Sequence, residues 1–338
     1  DCYGMKYTTV ISWLRRAVGE VEKARASVAS SLETENGFQA IFVAPEYMFT
    51  GENTGKRREP MLVAEKNDVI RDIRDISKSY SNILIFPGSI FYKEALGGST
   101  VELVTATHKA MANLISAELS SSKMSAQDKT DLLGGWRTGG GVAVPGIRDM
   151  STALKKPKAD TYRAYNSVQA FLGGEAVIKT PYVKNWDFKE TEGASVEKLM
   201  YVPGSHSGRR TINNFDFGIE VCFDHANGAL KGSRTDVDFH IVVSDWVGSK
   251  ASSMAMKKGG YFIHASSNPL QTMVCKREST GALTKLSLAG GKTAADSLAY
   301  WVVDVEKRAM VKAAVTTSTG STVVTSSGKV LPGAVKVM

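Results

Sequence analysis

A chain of 338 residues, 43% hydrophobic and 22% charged, has ordinary globular composition and enough length to bury a large core, as one large α/β domain or two smaller ones. No apolar run reaches the roughly 18 residues of a membrane span, the opening residues do not read as a secretory leader, and three cysteines (Cys2, Cys222 and Cys275) make no disulfide framework; a cytoplasmic, reducing location is expected. The 42 basic and 34 acidic residues leave a charge of +8, but Lys and Arg are scattered among acids, which reads as a basic surface rather than a nucleic-acid site.

Val10, Ile11, Leu14, Val18, Val21 and Ala24 keep helical spacing and predict a helix over Thr8–Leu32. A strand follows, Phe38 to Ala44. Residues 51–59 read as a polar, basic loop. Pro60 then opens a second helix to about Tyr80, with Val69, Ile70, Ile73 and Ile76 inward. Asn82–Phe91 reads as a buried strand broken at Pro87-Gly88. This strand–helix–strand rhythm argues an α/β sheet. Tyr165–Leu172 is a strand and Gly173-Gly174 a hairpin turn. The return strand, Ala176–Ile178, leads towards Lys179 and Lys184, two candidate cations at a strand end. Later come strands at Phe215–Val221, Val237–Trp246, Tyr261–Ser267 and Trp301–Val305, with a helix over Ser252–Gly259.

Residues 93–162 break the compact rhythm. Helices are expected at Val101–Leu119 and Ser125–Leu133, followed by the glycine-rich run from Gly134 to Gly146. No Gly-Lys-Ser/Thr follows those glycines, so they do not read as a phosphate loop. A connection this long is commonly functional. It reads either as a lid that selects substrate or as a surface excursion or oligomer contact. Beyond about Ala309 the chain is rich in Ser, Thr and Gly, with short β-like pieces.

Three strands end on groups that could do chemistry together. Phe215–Val221 stops on Cys222, Phe38–Ala44 runs on to Glu46, and the strand after Gly174 runs on to Lys184. A thiol needs a base to become a nucleophile and a cation for the charge that develops on the substrate. A lone cysteine after an apolar strand is more often core; two partners on two other strand ends turn the reading towards a nucleophile. Cys275 and Cys2 have no such surroundings and read as structural. A papain-like pairing of Cys222 with His225, His240 or His264 lacks a local signature. A zinc site lacks a second ligand pair. Gly204-Ser-His206-Ser-Gly208 centres on His rather than Ser, so it is no serine elbow.

Pro45-Glu46-Tyr47, Tyr182-Val183-Lys184 and Gly218-Ile-Glu-Val-Cys222-Phe-Asp224, in this order, resemble the nitrilase (carbon–nitrogen hydrolase) superfamily. The resemblance implies a single four-layer α-β-β-α sandwich over residues 1–338. Residues 93–162 would be an insertion, and the tail from about 310 would often cross to a partner subunit. It implies a strand before the first helix, either absent here or reduced to Cys2–Tyr7. It implies a catalytic triad of Glu46 as general base, Lys184 as oxyanion cation and Cys222 as nucleophile, and it selects Lys184 over Lys179. It also implies a second, substrate-positioning glutamate. Glu190 and Glu192 are the candidates, and spacing from Lys184 favours Glu192. Phe223, through its backbone N–H, and Trp246 complete the expected substrate contacts. No metal or organic cofactor is implied, and the expected partners are a small-molecule amide and other copies of the chain, as a dimer or larger.

Cys222-Phe223-Asp224 leans towards amides rather than nitriles, while His225-Ala-Asn-Gly departs from the usual amidase continuation and points to an outlying branch. The implied function is hydrolysis of a non-peptide or side-chain amide through a thioester. The alternatives are acyl transfer to an amine, nitrile hydrolysis by the same triad, or a binding protein that keeps the fold without turnover.

Overall fold

The computed structural model describes residues 4–27, 37–52, 58–95, 162–191, 199–204, 207–233, 236–287, 301–305 and 333–337. The expected helices within 93–162 and the stretch Cys2–Tyr3 lie outside these residues, as does Glu192.

The first helix, α1 (Tyr7–Ala26), buries Val10, Ile11, Leu14, Val18 and Val21 along one stripe. Strand β1 is Ala40–Val43. The second helix does not begin at Pro60. Met61–Leu62 forms a short strand, β2, and α2 runs Val63–Ser79, with the Glu65 carboxylate accepting from the Leu62 N–H. A proline lacks the N–H, but the residues behind it are free to pair; Met61 pairs with Tyr92 before the helix starts.

Pro87-Gly88 is more than a break in one strand. β3 (Ile83–Phe86) and β4 (Ser89–Ala95) belong to different sheets. Gly88 makes the change of direction at φ +85°, where a Cβ would stand 2.2 Å from the Pro45 carbonyl oxygen. The predicted strand Tyr165–Leu172 likewise divides into β5 (Tyr162–Val168) and β6 (Phe171–Leu172), in separate sheets. The Gly173-Gly174 hairpin joins β6 to β7 (Glu175–Ala176) as expected. β8 (Tyr182–Val183) and β9 (Leu199–Tyr201) both pair with β5. β10 (Arg209–Ile212), β11 (Phe215–Val221) and β12 (Val237–Ser244) follow.

The expected helix over Ser252–Gly259 is absent. A single 3-10 turn, Ala251–Ser253, leads into the long strand β13 (Met256–Ser266), and Met256 pairs with Val237. Backbone pairing along the sheet edge overrides the weak local helix signal. β14 (Met273–Arg277), β15 (Leu283–Lys285), β16 (Trp301–Val305) and β17 (Gly333–Val337) complete the strands.

One six-stranded sheet has the order β16-β17-β1-β3-β6-β7, and a second has β10-β11-β12-β13-β14-β15. They face each other, with strand period deciding which side chain enters the shared core. Ile41, Val43, Leu84 and Phe86 of the first sheet meet Phe217, Ile219, Phe239, Ile241 and Ile263 of the second. Phe239 stacks between Phe217 (5.0 Å) and Tyr261 (6.1 Å). The alternate residues of the first sheet, Ala40, Phe42, Ile83 and Ile85, pack under α1 and α2. The layers run α-β-β-α, but the fourth is thin. Single helical turns at Phe223–Ala226 and Ala229–Gly232 cover the outer face of the second sheet. Leu230 lies so close to β11 that a Cβ on Gly218 would meet it at 2.1 Å.

Among the described residues no strand precedes α1, and β17 runs parallel to β1 as its outer neighbour. Residues 333–337 of the tail pair within the chain's own sheet, between β1 and β16. No helix among the described residues is long and apolar enough to cross a membrane.

Candidate active site

β1, β11 and β12 all end at the same side, and the third sheet, β2-β4-β5-β8 with β9 on β5, closes against them. Parallel strands bring polar residues together just beyond their carboxyl ends. Glu46 follows β1, Cys222 follows β11, Asp245 follows β12 and Lys184 follows β8.

Glu46 is 2% exposed. Its Oε1 accepts from Lys184 Nζ at 3.0 Å and from Asn166 Nδ2 at 2.8 Å, and its Oε2 accepts from the Asp245 backbone N–H at 3.0 Å. The Cys222 thiol shares the cleft floor with it, and each group shifts the other's proton affinity. Burial pushes the Glu46 carboxyl above its ordinary range, and the Lys184 charge opposes that push. Lys184 is fully buried. Burial disfavours its charge, but Glu190 and Glu46 outweigh burial and hold the ammonium protonated. The Cys222 thiol is pushed far up by burial and by the Glu46 charge; Lys184 and the Asp245 N–H pull the other way. The resting site therefore holds a neutral thiol and an ammonium, with the Glu46 carboxyl between them.

Cys222 has φ +47° and ψ −103°, a conformation L residues rarely adopt, at the joint between β11 and its helical turn. Its N–H donates to the Val243 carbonyl at 2.8 Å, so the strained joint is pinned to β12. Asp224, two residues on, is fully buried and takes the Tyr182 hydroxyl at 2.6 Å, the Asn185 N–H at 3.0 Å and the Trp186 N–H at 2.9 Å. The turn that carries Lys184 is thus held by the turn that carries Cys222. Burial raises the Asp224 carboxyl to about 7 despite these donors.

The glutamate against Lys184 is Glu190. It accepts from Lys184 Nζ, from the Tyr47 hydroxyl and, at 3.3 Å, from Asn166 Nδ2. Lys189 at φ +57° and the bond from Glu190 N–H to Asp187 turn it inward. Lys179, the rival lysine, is exposed and lines a separate shallow groove with Arg210.

A cleft of about 550 Å³ opens over Cys222, Glu46 and Lys184. Phe223 and Trp246 line it, together with Phe188, Val247 and Lys250. The sequence reading missed three further members. Arg58 donates to Asp245 at 2.7 Å and lies 4.2 Å over the Tyr47 ring. Asn166 and Asp245 both bond Glu46. Asn166 is fully buried in β5, where a polar side chain must find partners, but the mixed polar sequence of that strand did not mark it.

Behind the cysteine lies a second buried cluster, Glu220, His225 and His240. Both imidazoles stand 2.8 Å from Glu220 Oε2, a spacing that could suit a metal. Their outer nitrogens decide against it. His225 Nε2 accepts from the Lys250 N–H, and His240 Nδ1 from the Ala255 N–H, both at 3.2 Å. The inner nitrogens therefore carry the protons and donate to Glu220, whereas a metal-bound imidazole needs the reverse arrangement. Cys275 is buried on the outer face of the second sheet, away from the cleft.

The chain matches no protein-family model and no curated protein. Its structure is similar to members of the nitrilase superfamily. One is Nit3 of Saccharomyces cerevisiae, from branch 10 (13% identity, 82% of this chain and 80% of that one, TM-score 0.40). Others are a Nesterenkonia amidase (10%, 78% and 72%, TM-score 0.37) and a CN-hydrolase superfamily protein of Xanthomonas campestris with an arsenic adduct in its active site (11%, 80% and 85%, TM-score 0.33).

Proposed function

We propose that the protein is a thiol hydrolase that cleaves a carbon–nitrogen bond of an amide other than a peptide bond. The observation that carries this reading is one cleft whose floor holds the Cys222 thiol together with Glu46, which is bonded to the Lys184 ammonium.

Because the thiol is neutral at rest, proton transfer to Glu46 accompanies attack on the substrate carbonyl. The new C–S bond places negative charge on the carbonyl oxygen. Lys184 and the Phe223 N–H stabilise it. Glu46 then gives its proton to the nitrogen as the C–N bond breaks, and the amine leaves. Water attacks the thioester, its proton passing to Glu46. The acid departs, and the sulfur takes the proton back. Glu190 keeps Lys184 charged and oriented through the cycle.

The test is ammonia release from a panel of amides, ureas and nitriles, with wild type and Cys222→Ala compared and intact mass recorded for a covalent adduct. Release or an adduct lost in Cys222→Ala is expected. Activity that survives in that variant overturns the reading. Product that forms only with added amine would move it to acyl transfer.

A further inference from the structure

We infer that the amide carries an apolar arm, aromatic or alkyl and without charge, that lies on Phe188, Phe223 and Trp246. The inference rests on the hydrolase reading and names its substrate class.

The wall begins at the nucleophile. Phe223 is the residue after Cys222 and is 7% exposed; its ring packs against Phe188 with centroids 4.9 Å apart. Phe188 is 38% exposed and Trp246 69%, and both line the cleft together with Val247 and Ala226. Three aromatic side chains in one cleft, two of them open to water, keep apolar area that a ligand would cover with gain. A group continuous with the scissile amide reaches this wall, because Phe223 adjoins the reacting sulfur.

The charges point the same way. Lys184 is held by Glu46 and Glu190, and Arg58 by Asp245. A substrate carboxylate would have to displace one of these acids from its cation. Of the described cations that line the cleft, Lys250, exposed at the rim, is the one that makes no ion pair. The floor accepts a neutral amide, and the wall accepts its apolar arm.

Alkylation of Cys222 by chloroacetamides tests this without turnover. The thiol carbon–sulfur bond forms, chloride leaves and the proton passes to Glu46. N-benzyl, N-hexyl and N-carboxymethyl chloroacetamide are compared by intact mass, each rate divided by its rate with glutathione. The benzyl and hexyl probes should label at least about tenfold faster than the carboxymethyl probe, since one buried methylene is worth about fourfold. Trp246→Ser and Phe188→Ser should each cut that ratio by about threefold or more. The inference is overturned if the carboxymethyl probe labels as fast, above all if Lys250→Ala then slows it, or if the ratio survives in both variants. Turnover confined to small or anionic amides would also sink it while sparing the hydrolase reading. Labelling with the expected ratio but no amide turnover would do the opposite.

Discussion

Glu46, just past β1 of the first sheet, and Glu220, inside β11 of the second, are both buried, yet their surroundings drive them in opposite directions. Glu220 takes His225, His240 and the Leu230 N–H at 2.6 Å. Burial alone would raise its pKa, but the contacts with His240 and His225 outweigh it and hold the carboxylate at about 2. Glu46 also has several donors, but burial, helped by the Glu190 charge, raises its pKa, and one neighbour is a thiol that can give its proton away. Glu220 tethers the turns at residues 223–226 and 229–232 and, through His240 of β12, the segment at Ala255. A carboxylate whose partners are all fixed donors builds structure. A carboxylate that faces a proton source and an open cleft does chemistry.

Neutralising Glu46 should give the largest effect. Glu46→Gln keeps the shape and removes the base, so amide turnover should fall by about 10²–10⁴. Thermal unfolding of the same variant should show a folded protein. Near-normal turnover would remove Glu46 from the mechanism.

Glu220→Ala should reverse that pattern. It leaves two imidazole N–H groups and the Leu230 N–H without an acceptor in the interior. Each orphaned donor costs about 1–3 kcal/mol, so urea unfolding should show a loss of about 3 kcal/mol or more. If turnover per folded molecule fell as far as in Glu46→Gln with stability intact, the division of labour between the two glutamates would be wrong.

Part of this division was legible in the chain. That Glu46, Lys184 and Cys222 would meet at one cleft was legible because each follows an apolar strand and the three strand-end motifs keep a familiar order. The Gly173-Gly174 hairpin and the alternating core of β11 were legible from local pattern. Glu190 could not be chosen over Glu192 by counting from Lys184, since the backbone at Lys189 reverses and the count assumes that it does not. Arg58 sits in a polar loop whose sequence says nothing about the distant Asp245 it meets. The supposed helix at Ser252–Gly259 failed because sheet pairing is non-local. The His225–Glu220–His240 tautomers depend on backbone N–H groups at Lys250 and Ala255, which no sequence pattern displays.

Acid and base sharpen the comparison further. His264 is buried between the Ser244 and Ser249 hydroxyls, and burial lowers it to about 3. The unfolded chain binds a proton here below about 6.5. The stability it contributes is present above that pH and is lost as pH falls towards 3, at up to about 1.4 kcal/mol per unit. Asp224 works with the other sign. Its folded pKa of about 7 lies above the unfolded carboxylate, so its contribution is full below about 4 and is lost as pH rises through 7. The two slopes oppose each other between pH 4 and 6.5. Asp224→Asn should therefore steepen the rise of stability with pH across that window. An unchanged slope would mean that Asp224 is ionised throughout.

The smallest effect belongs to the rival lysine. Lys179 and Lys184 both lie beyond the Gly173-Gly174 hairpin, and composition cannot separate them. Lys184 is buried between two carboxylates, with its carbonyl held by the Tyr201 hydroxyl at 2.6 Å. Lys179 is exposed beside Thr180 and Arg210 and has no ion pair among the described residues. A surface charge of this kind is worth within about 0.5 kcal/mol. Lys179→Ala should leave kcat/KM for the best amide within about twofold and the urea midpoint unshifted. Lys184→Ala, by contrast, strands Glu46 and Glu190 as adjacent buried acids and should cost turnover and about 3 kcal/mol or more of stability together. If the two variants behaved alike, the cation of the site would have been misplaced by five residues along the chain, and the oxyanion role would pass to a group other than Lys184.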